Sequence, residues 1–290
     1  MLKRAISTLV LWVALIVLLR YFGRPAAVLF TTLLAVLTQH ELYGMLARMG
    51  HRPFHRLGLL IGAAMLLVPY AVRTLAPQYF ITGPGMTASL MALAVVLCCV
   101  RLLSMRDPGK RFDTLAATLF GIAYVPFMFH FVIEIFFLRD ATNPNQGLML
   151  VVWLVAVAKF CDVGALLVGT AIGRHKMSPT ISPKKSWEGL VGGVVIASGV
   201  GTALVHFFRP SGLYPENFTL LWSALAAIPI ALIAVVSDLV ESIIKRRADI
   251  KDSGNAIPGI GGAFDLTDSV ILTAPAAYIL FAYLLRLGGA

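Results

Sequence analysis

Nine stretches of mostly apolar residues, at roughly 5–21, 25–43, 57–76, 85–103, 114–137, 147–171, 189–208, 219–239 and 269–288, take up most of the 290-residue chain. About 20 such residues carry a helix across the hydrocarbon of a bilayer, where the backbone must satisfy its own hydrogen bonds. The expected fold is therefore all-α, a polytopic membrane protein of about nine transmembrane helices with a polar site at the cytoplasmic side of its C-terminal half. Composition agrees: the chain is 59% hydrophobic and 13% charged with a mean hydropathy of +0.85, against about 25% charged residues in soluble domains. That excludes a water-soluble enzyme, a disordered chain and a coiled coil. Cys98, Cys99 and Cys161 lie in apolar stretches without CxxC spacing, which points to neither a disulfide framework nor a structural zinc site. The opening Met-Leu-Lys-Arg resembles the start of a signal peptide, but no small-x-small cleavage site follows and a second span comes almost at once, so it reads as a retained first helix.

Orientation follows from the cations. The N-terminus and the connections after the second, fourth, sixth and eighth spans hold 17 Lys and Arg, the opposite connections hold six, and Lys159 lies inside the sixth span. The split puts the N-terminus and the long polar loops in the cytoplasm, with the C-terminus outside. The formal charge of +10 is read as orienting a membrane protein, with no nucleic-acid partner. Eight acids (Asp162, Glu188, Asp238, Glu241, Asp249, Asp252, Asp265 and Asp268) lie in or beside helix ends on the cytoplasmic side. Residues 1–140 are thus expected to be scaffold helices and 141–290 the helices that carry chemistry, within one integrated membrane unit.

Three segments hold the polar groups. In 159–176, Lys159 and Asp162 share a helix face and can neutralise each other, while Gly169 and Gly173 form a small-xxx-small pair for close helix packing. In 182–189, Ser182 and Pro183 are expected as N-cap and first helical residue, with Lys184 and Lys185 offering charge to an anion beside Trp187 and Glu188. In 237–269, Asp238, Glu241, Ser242 and Lys245 form one stripe of a helix leaving the membrane. Pro258-Gly259-Ile260-Gly261-Gly262 follows, then Asp265 and Asp268 three residues apart at the start of the ninth span. Carboxylates gathered there need compensating cations, either Lys and Arg in a salt-bridge network or a divalent metal. Mg²⁺ takes one or two carboxylates plus phosphates and water.

These motifs resemble those of the integral-membrane phosphatidate cytidylyltransferases, the CDP-diacylglycerol synthases. The family's Ser-x-x-Lys-Arg, Lys-Asp, Pro-Gly-His-Gly-Gly and Asp-Arg-x-Asp run is matched in order and spacing by Ser242, Lys245, Arg246, Lys251, Asp252, Pro258, Gly259, Gly261, Gly262, Asp265 and Asp268. Its upstream Asp-Leu-x-Glu-Ser is matched by Asp238, Leu239, Glu241 and Ser242, and its Ser-Pro-x-Lys-Thr-Trp-Glu-Gly by 182–189 with Ser186 for Thr. Its Asn-Asp, with the basic turn that follows, is matched by Cys161, Asp162 and Arg174-His175-Lys176. Four positions depart: Ile260 for His, Leu266 for Arg, Cys161 for Asn and Ser237 for Gly.

The resemblance implies transfer of CMP from CTP to phosphatidate, giving CDP-diacylglycerol and diphosphate in phospholipid biosynthesis. It implies Asp238, Lys245, Asp265 and Asp268 as catalytic, with Asp238, Asp265 and Asp268 on one or two Mg²⁺ ions that Mn²⁺ can replace. Asp162, Ser182, Lys184, Lys185, Glu188, Glu241, Ser242, Arg246, Lys251, Asp252, Gly259, Gly261 and Gly262 are the expected substrate-binding positions. The expected setting is a homodimer in the bilayer of a bacterial inner membrane, with its active-site loops cytoplasmic. A cytidylyltransferase for another lipid phosphate, such as an isoprenoid ether lipid, is the alternative within the same chemistry. An ion-coupled transporter is the alternative from another class; it predicts acids near the bilayer midplane and repeated halves, whereas these acids cluster at loops on one side and no repeat is visible.

Overall fold

The computed structural model describes residues 2–79, 85–105, 107–138, 143, 145–254 and 261–287, with side chains from 23 to 285 within them. Among the described residues eight helical segments are long and apolar enough to cross a membrane: Gly23–Arg48, His55–Leu75, Gly85–Leu103, Pro108–Phe136, Asn145–Ile172, Trp187–Phe208, Leu220–Arg247 and Ala263–Leu285. This is a polytopic all-α membrane protein. The expected first stretch, 5–21, is helical as the opening part of α1 (Leu2–Arg48), which kinks at Gly23 (φ 59°, ψ −141°). Only glycine takes that conformation cheaply, and Pro25 just beyond it suits the first turn of a new helix.

Three expectations are corrected. The fifth span, read as one helix over 114–137, is α4 (Arg111–Tyr124) and α5 (Pro126–Phe136), separated at Val125; Pro126 has no N–H to continue the helical ladder. The last span starts earlier, at Ala263, and divides into α9 (Ala263–Ile271) and α10 (Thr273–Leu287). The segment read as the N-cap and start of a helix at Ser182-Pro183 is instead a strand. β1 (Lys176–Ser178) and β2 (Ser182–Ser186) pair antiparallel, Lys176 opposite Ser186 and Ser178 opposite Ser182. The N-cap of α7 (Trp187–Phe208) is Ser186, whose Oγ accepts from Gly189 N at 3.2 Å. The φ that proline fixes suits an extended strand as well as a helix start, and here pairing with 176–178 decides.

The chain divides into two compact units, Met1–Ile133 with Arg247–Thr267, and Glu134–Arg246 with Asp268–Ala290. The first is built on α1, α2 (His55–Leu75), α3 (Gly85–Leu103) and α4. Its core includes Met65, Ala94, Cys98 and Ile122. Tyr43 of α1 is fully buried and donates to Thr118 O at 2.9 Å, with its ring filling the space that glycine leaves at Gly58 and Gly121. In the second unit α6 (Asn145–Ile172) and α7 pack through glycine: a Cβ on Gly164 would come 3.0 Å from Gly193 Cα, and one on Gly193 would come 2.7 Å from Cys161 O. Gly169 extends this contact, a Cβ there standing 3.5 Å from Gly189 Cα, whereas Gly173, just past the end of α6, faces Ser186 of β2. Trp153 anchors the far end of α6, donating to Ser223 Oγ of α8 (Leu220–Arg247) at 2.8 Å and meeting Phe218 and Phe281 edge to face.

Candidate active site

The polar stripe expected on α8 forms, and in the second unit it meets two other elements. One carboxylate oxygen each from Asp238, Glu241 and Asp268 lie within 4.8 Å of one another. Each acid has a lysine of its own, from three different elements. Lys185 of β2 pairs with Asp238, Lys245 reaches Glu241 Oε1 at 2.7 Å one turn along α8, and Lys159 of α6 lies 2.9 Å from Asp268 Oδ1. Two further contacts fix Asp268: Ser269 N donates to its Oδ1 at 2.6 Å, and the hydroxyl of buried Ser237 donates to its backbone carbonyl. Asp162 stands in the field of Lys159, Lys185, Asp238 and Asp268.

Four acids and three lysines leave this cluster one formal negative charge in excess, with Glu241 and Asp268 almost fully buried. Three converging carboxylates are a hard, all-oxygen donor set of the kind Mg²⁺ prefers when phosphate and water complete its shell. The residues therefore fit a divalent cation. Asp238 is the most open of the three acids, its side chain 24% exposed.

The hairpin borders this cluster through Lys185, while Lys184 is exposed and Ser182 half-buried. Glu188 is engaged locally, accepting from the backbone N–H of Arg174 and His175 at 3.2 Å and lying 2.6 Å from His175 Nδ1. It ties the start of α7 to the end of α6. Ser242 is half-buried on the α8 stripe and Arg246 exposed near its end.

In the first unit, Asp265 accepts from Gly262 N at 2.9 Å and Ser253 N at 3.1 Å. Gly261 has φ 127°, which requires glycine. Lys251 and Asp252 are exposed. Gly259, with Pro258 and Ile260, lies outside the described residues. Glu41, absent from the sequence reading, binds the same segment through Ser253 Oγ, Ala263 N and Phe264 N.

Two groups were thus missed: Lys159, read only as a partner for Asp162, and Glu41, counted with the scaffold. The available signal was a charge inside an apolar stretch, costly in lipid without a partner.

The cytidylyltransferase family's sequence profile matches residues 2–284. The chain belongs to this family, which marks it as a nucleotidyltransferase. Phosphatidate cytidylyltransferase of Bacillus subtilis is 33% identical over 207 residues, 71% of this chain and 72% of that protein. The protein of the same name from Thermotoga maritima is 32% identical over 202 residues, 68% of this chain and 70% of its own. That from Rickettsia bellii is 38% identical over 143 residues, 48% of this chain and 60% of its own.

Proposed function

We propose that this protein transfers CMP from CTP to phosphatidate, forming CDP-diacylglycerol and releasing diphosphate. The observation that carries the reading is the cluster of Asp238, Glu241 and Asp268, each matched by a lysine, in a multi-pass member of the cytidylyltransferase family. In the reaction an oxygen of the lipid phosphomonoester attacks the α-phosphorus of CTP. The new O–P bond forms as the bond to the β-phosphate oxygen breaks, and diphosphate carries away the electron pair. A phosphomonoester has its second pKa near about 6, so the nucleophile is already ionised and no general base is required; Ile260 in place of the family's histidine is compatible with that chemistry.

The task left to the protein is to align two polyanions and neutralise their charge. Asp238, Glu241 and Asp268 would hold Mg²⁺, for which Mn²⁺ can stand in. Within the first unit, Asp265 is proposed to hold a metal ion in its own right, since a carboxylate has about four lone-pair sites and its two backbone donors are compatible with a metal bond. A divalent ion on the Asp238, Glu241 and Asp268 cluster would supply positive charge to the phosphates. Lys185 and Lys245 exchange carboxylate for phosphate when CTP arrives, with Lys184 and Arg246 adding charge from exposed positions. The site is proposed to face the cytoplasm of a bacterial inner membrane, where CTP comes from water and the acyl chains stay in lipid, and the working form is proposed to be a homodimer.

The test is formation of a CDP-lipid by the purified full-length protein. CTP with phosphatidate and Mg²⁺ is expected to yield CDP-diacylglycerol and one equivalent of diphosphate, and chelation to abolish both. Turnover only with an isoprenoid ether-lipid phosphate would move the substrate to that class. No CDP-lipid from either acceptor, with Mg²⁺ or Mn²⁺, would remove the enzyme reading.

A further inference from the structure

We infer that Glu41, from the helix otherwise counted as scaffold, is a positioning residue for CTP binding: it clasps Ser253 and the first turn of α9 and so sets where the carboxylate of Asp265, a proposed metal ligand, stands. This rests on the cytidylyltransferase reading above. All the groups involved belong to the first unit.

Ala263 and Phe264 are the first two residues of α9, so their N–H groups have no intrahelical acceptor. Glu41 provides one for each, Oε1 to Ala263 N and Oε2 to Phe264 N, both at 2.9 Å. A carboxylate at that position also complements the positive end of the helix dipole. The same Oε2 accepts from Ser253 Oγ at 2.8 Å. Ser253 is held from its other side by Asp265, which accepts its N–H at 3.1 Å and that of Gly262 at 2.9 Å. Two carboxylates, one on α1 and one on α9, thus grip one serine and three consecutive amides.

Packing around the clasp is close enough to exclude side chains. A Cβ on Gly254 would stand 2.6 Å from Glu41 Oε1, and one on Gly262 would collide with Ser253 Oγ and Glu41 Oε2. One turn earlier on α1, Thr38 Oγ1 lies 2.9 Å from Thr267 Oγ1. The start of α9 is therefore fixed to α1 at two successive turns, and with it the direction in which Asp265 points. Glutamine at position 41 keeps the shape, but its amide nitrogen cannot accept a hydrogen bond, so the clasp loses one arm.

Equilibrium binding of CTP with Mg²⁺ to the full-length protein, without lipid acceptor, reads the effect without turnover. Glu41→Gln is expected to weaken CTP binding about 10- to 100-fold, the scale of lost charge-assisted hydrogen bonds, and to leave KM for phosphatidate unchanged. Ser253→Ala removes one donor and is expected to weaken CTP binding about 3- to 10-fold, with little further loss when combined with Glu41→Gln. Unchanged CTP affinity in folded Glu41→Gln, or independent multiplying losses in the double variant, would overturn the clasp. If Glu41→Gln does not fold, Ser253→Ala decides: unchanged affinity overturns the inference and weakened affinity sustains it. A wild-type protein that binds no CTP would overturn the cytidylyltransferase reading as well, which separates the two failures.

Discussion

Lys159 stands within an apolar helix, where an ammonium group is costly unless paired. Its partner is Asp268, 2.9 Å away, with the carboxylate side chain only 9% exposed and the lysine 27%. Removing one member of such a pair costs about 3–5 kcal/mol, whereas removing both is close to neutral; partial exposure of the lysine favours the lower figure. Lys159→Met should therefore destabilise the metal-free protein by about 3 kcal/mol, and adding Asp268→Asn should restore most of that stability without restoring turnover. Because a divalent ion on Asp268 would take over the lost charge, Mg²⁺ should stabilise Lys159→Met more than wild type. Thermal unfolding in detergent with EDTA and with Mg²⁺ checks this, and an equal Mg²⁺ effect on both proteins would argue against Asp268 as a ligand. The acids of the α8 stripe were legible in the sequence because helical spacing alone collects them. Lys245 was legible with them, one turn along the same stripe, but the pairs Lys185–Asp238 and Lys159–Asp268 were not, since their members are separated by long stretches of chain and meet only through packing.

Among the helices, α6 and α7 show how small residues substitute for the hydrophobic effect in lipid, where apolar surface gains little by leaving an apolar solvent. The Gly164–Gly193 contact lets the two backbones approach until a single methyl would strike a carbonyl. Gly193→Ala should cost about 1–3 kcal/mol through overpacking, seen as a lower unfolding temperature in detergent. Gly199, whose Cβ would meet nothing within 4 Å, should accept alanine without loss. The same contact brings Cys161 and Ala165 of α6 against α7, so activity of Gly193→Ala should fall along with stability. Most helices were readable from hydropathy because length and apolar content suffice. The breaks at Val125 and Leu272 were not, since Pro126 beside the first and Pro275 in the first turn of α10 are equally compatible with a mild kink in one continuous helix. The hairpin of 176–186 was missed because its register depends on pairing between two short polar runs with no alternating apolar pattern.

At the scale of the whole chain, the strongest remaining expectation concerns sidedness. Seventeen of the 24 Lys and Arg fall on one set of alternate connections, and a bias of that size orients a polytopic protein through its short loops. The connections carrying Lys176 and the end of α8 should then face the cytoplasm, and the α7–α8 connection the opposite side. Lys176, Arg247 and Ser211 are all exposed, so each can report by reaction of an introduced cysteine once Cys98, Cys99 and Cys161 have been replaced by alanine. In right-side-out spheroplasts an impermeant maleimide should label Ser211→Cys and spare Lys176→Cys and Arg247→Cys, while all three react after lysis. The expectation ties orientation to chemistry, because CTP is made and used in the cytoplasm and the lysines proposed to hold its phosphates lie next to Lys176 in the hairpin and next to Arg247 in α8. Labelling of Lys176→Cys and Arg247→Cys before lysis would invert the topology and leave the proposed nucleotide site facing the wrong compartment.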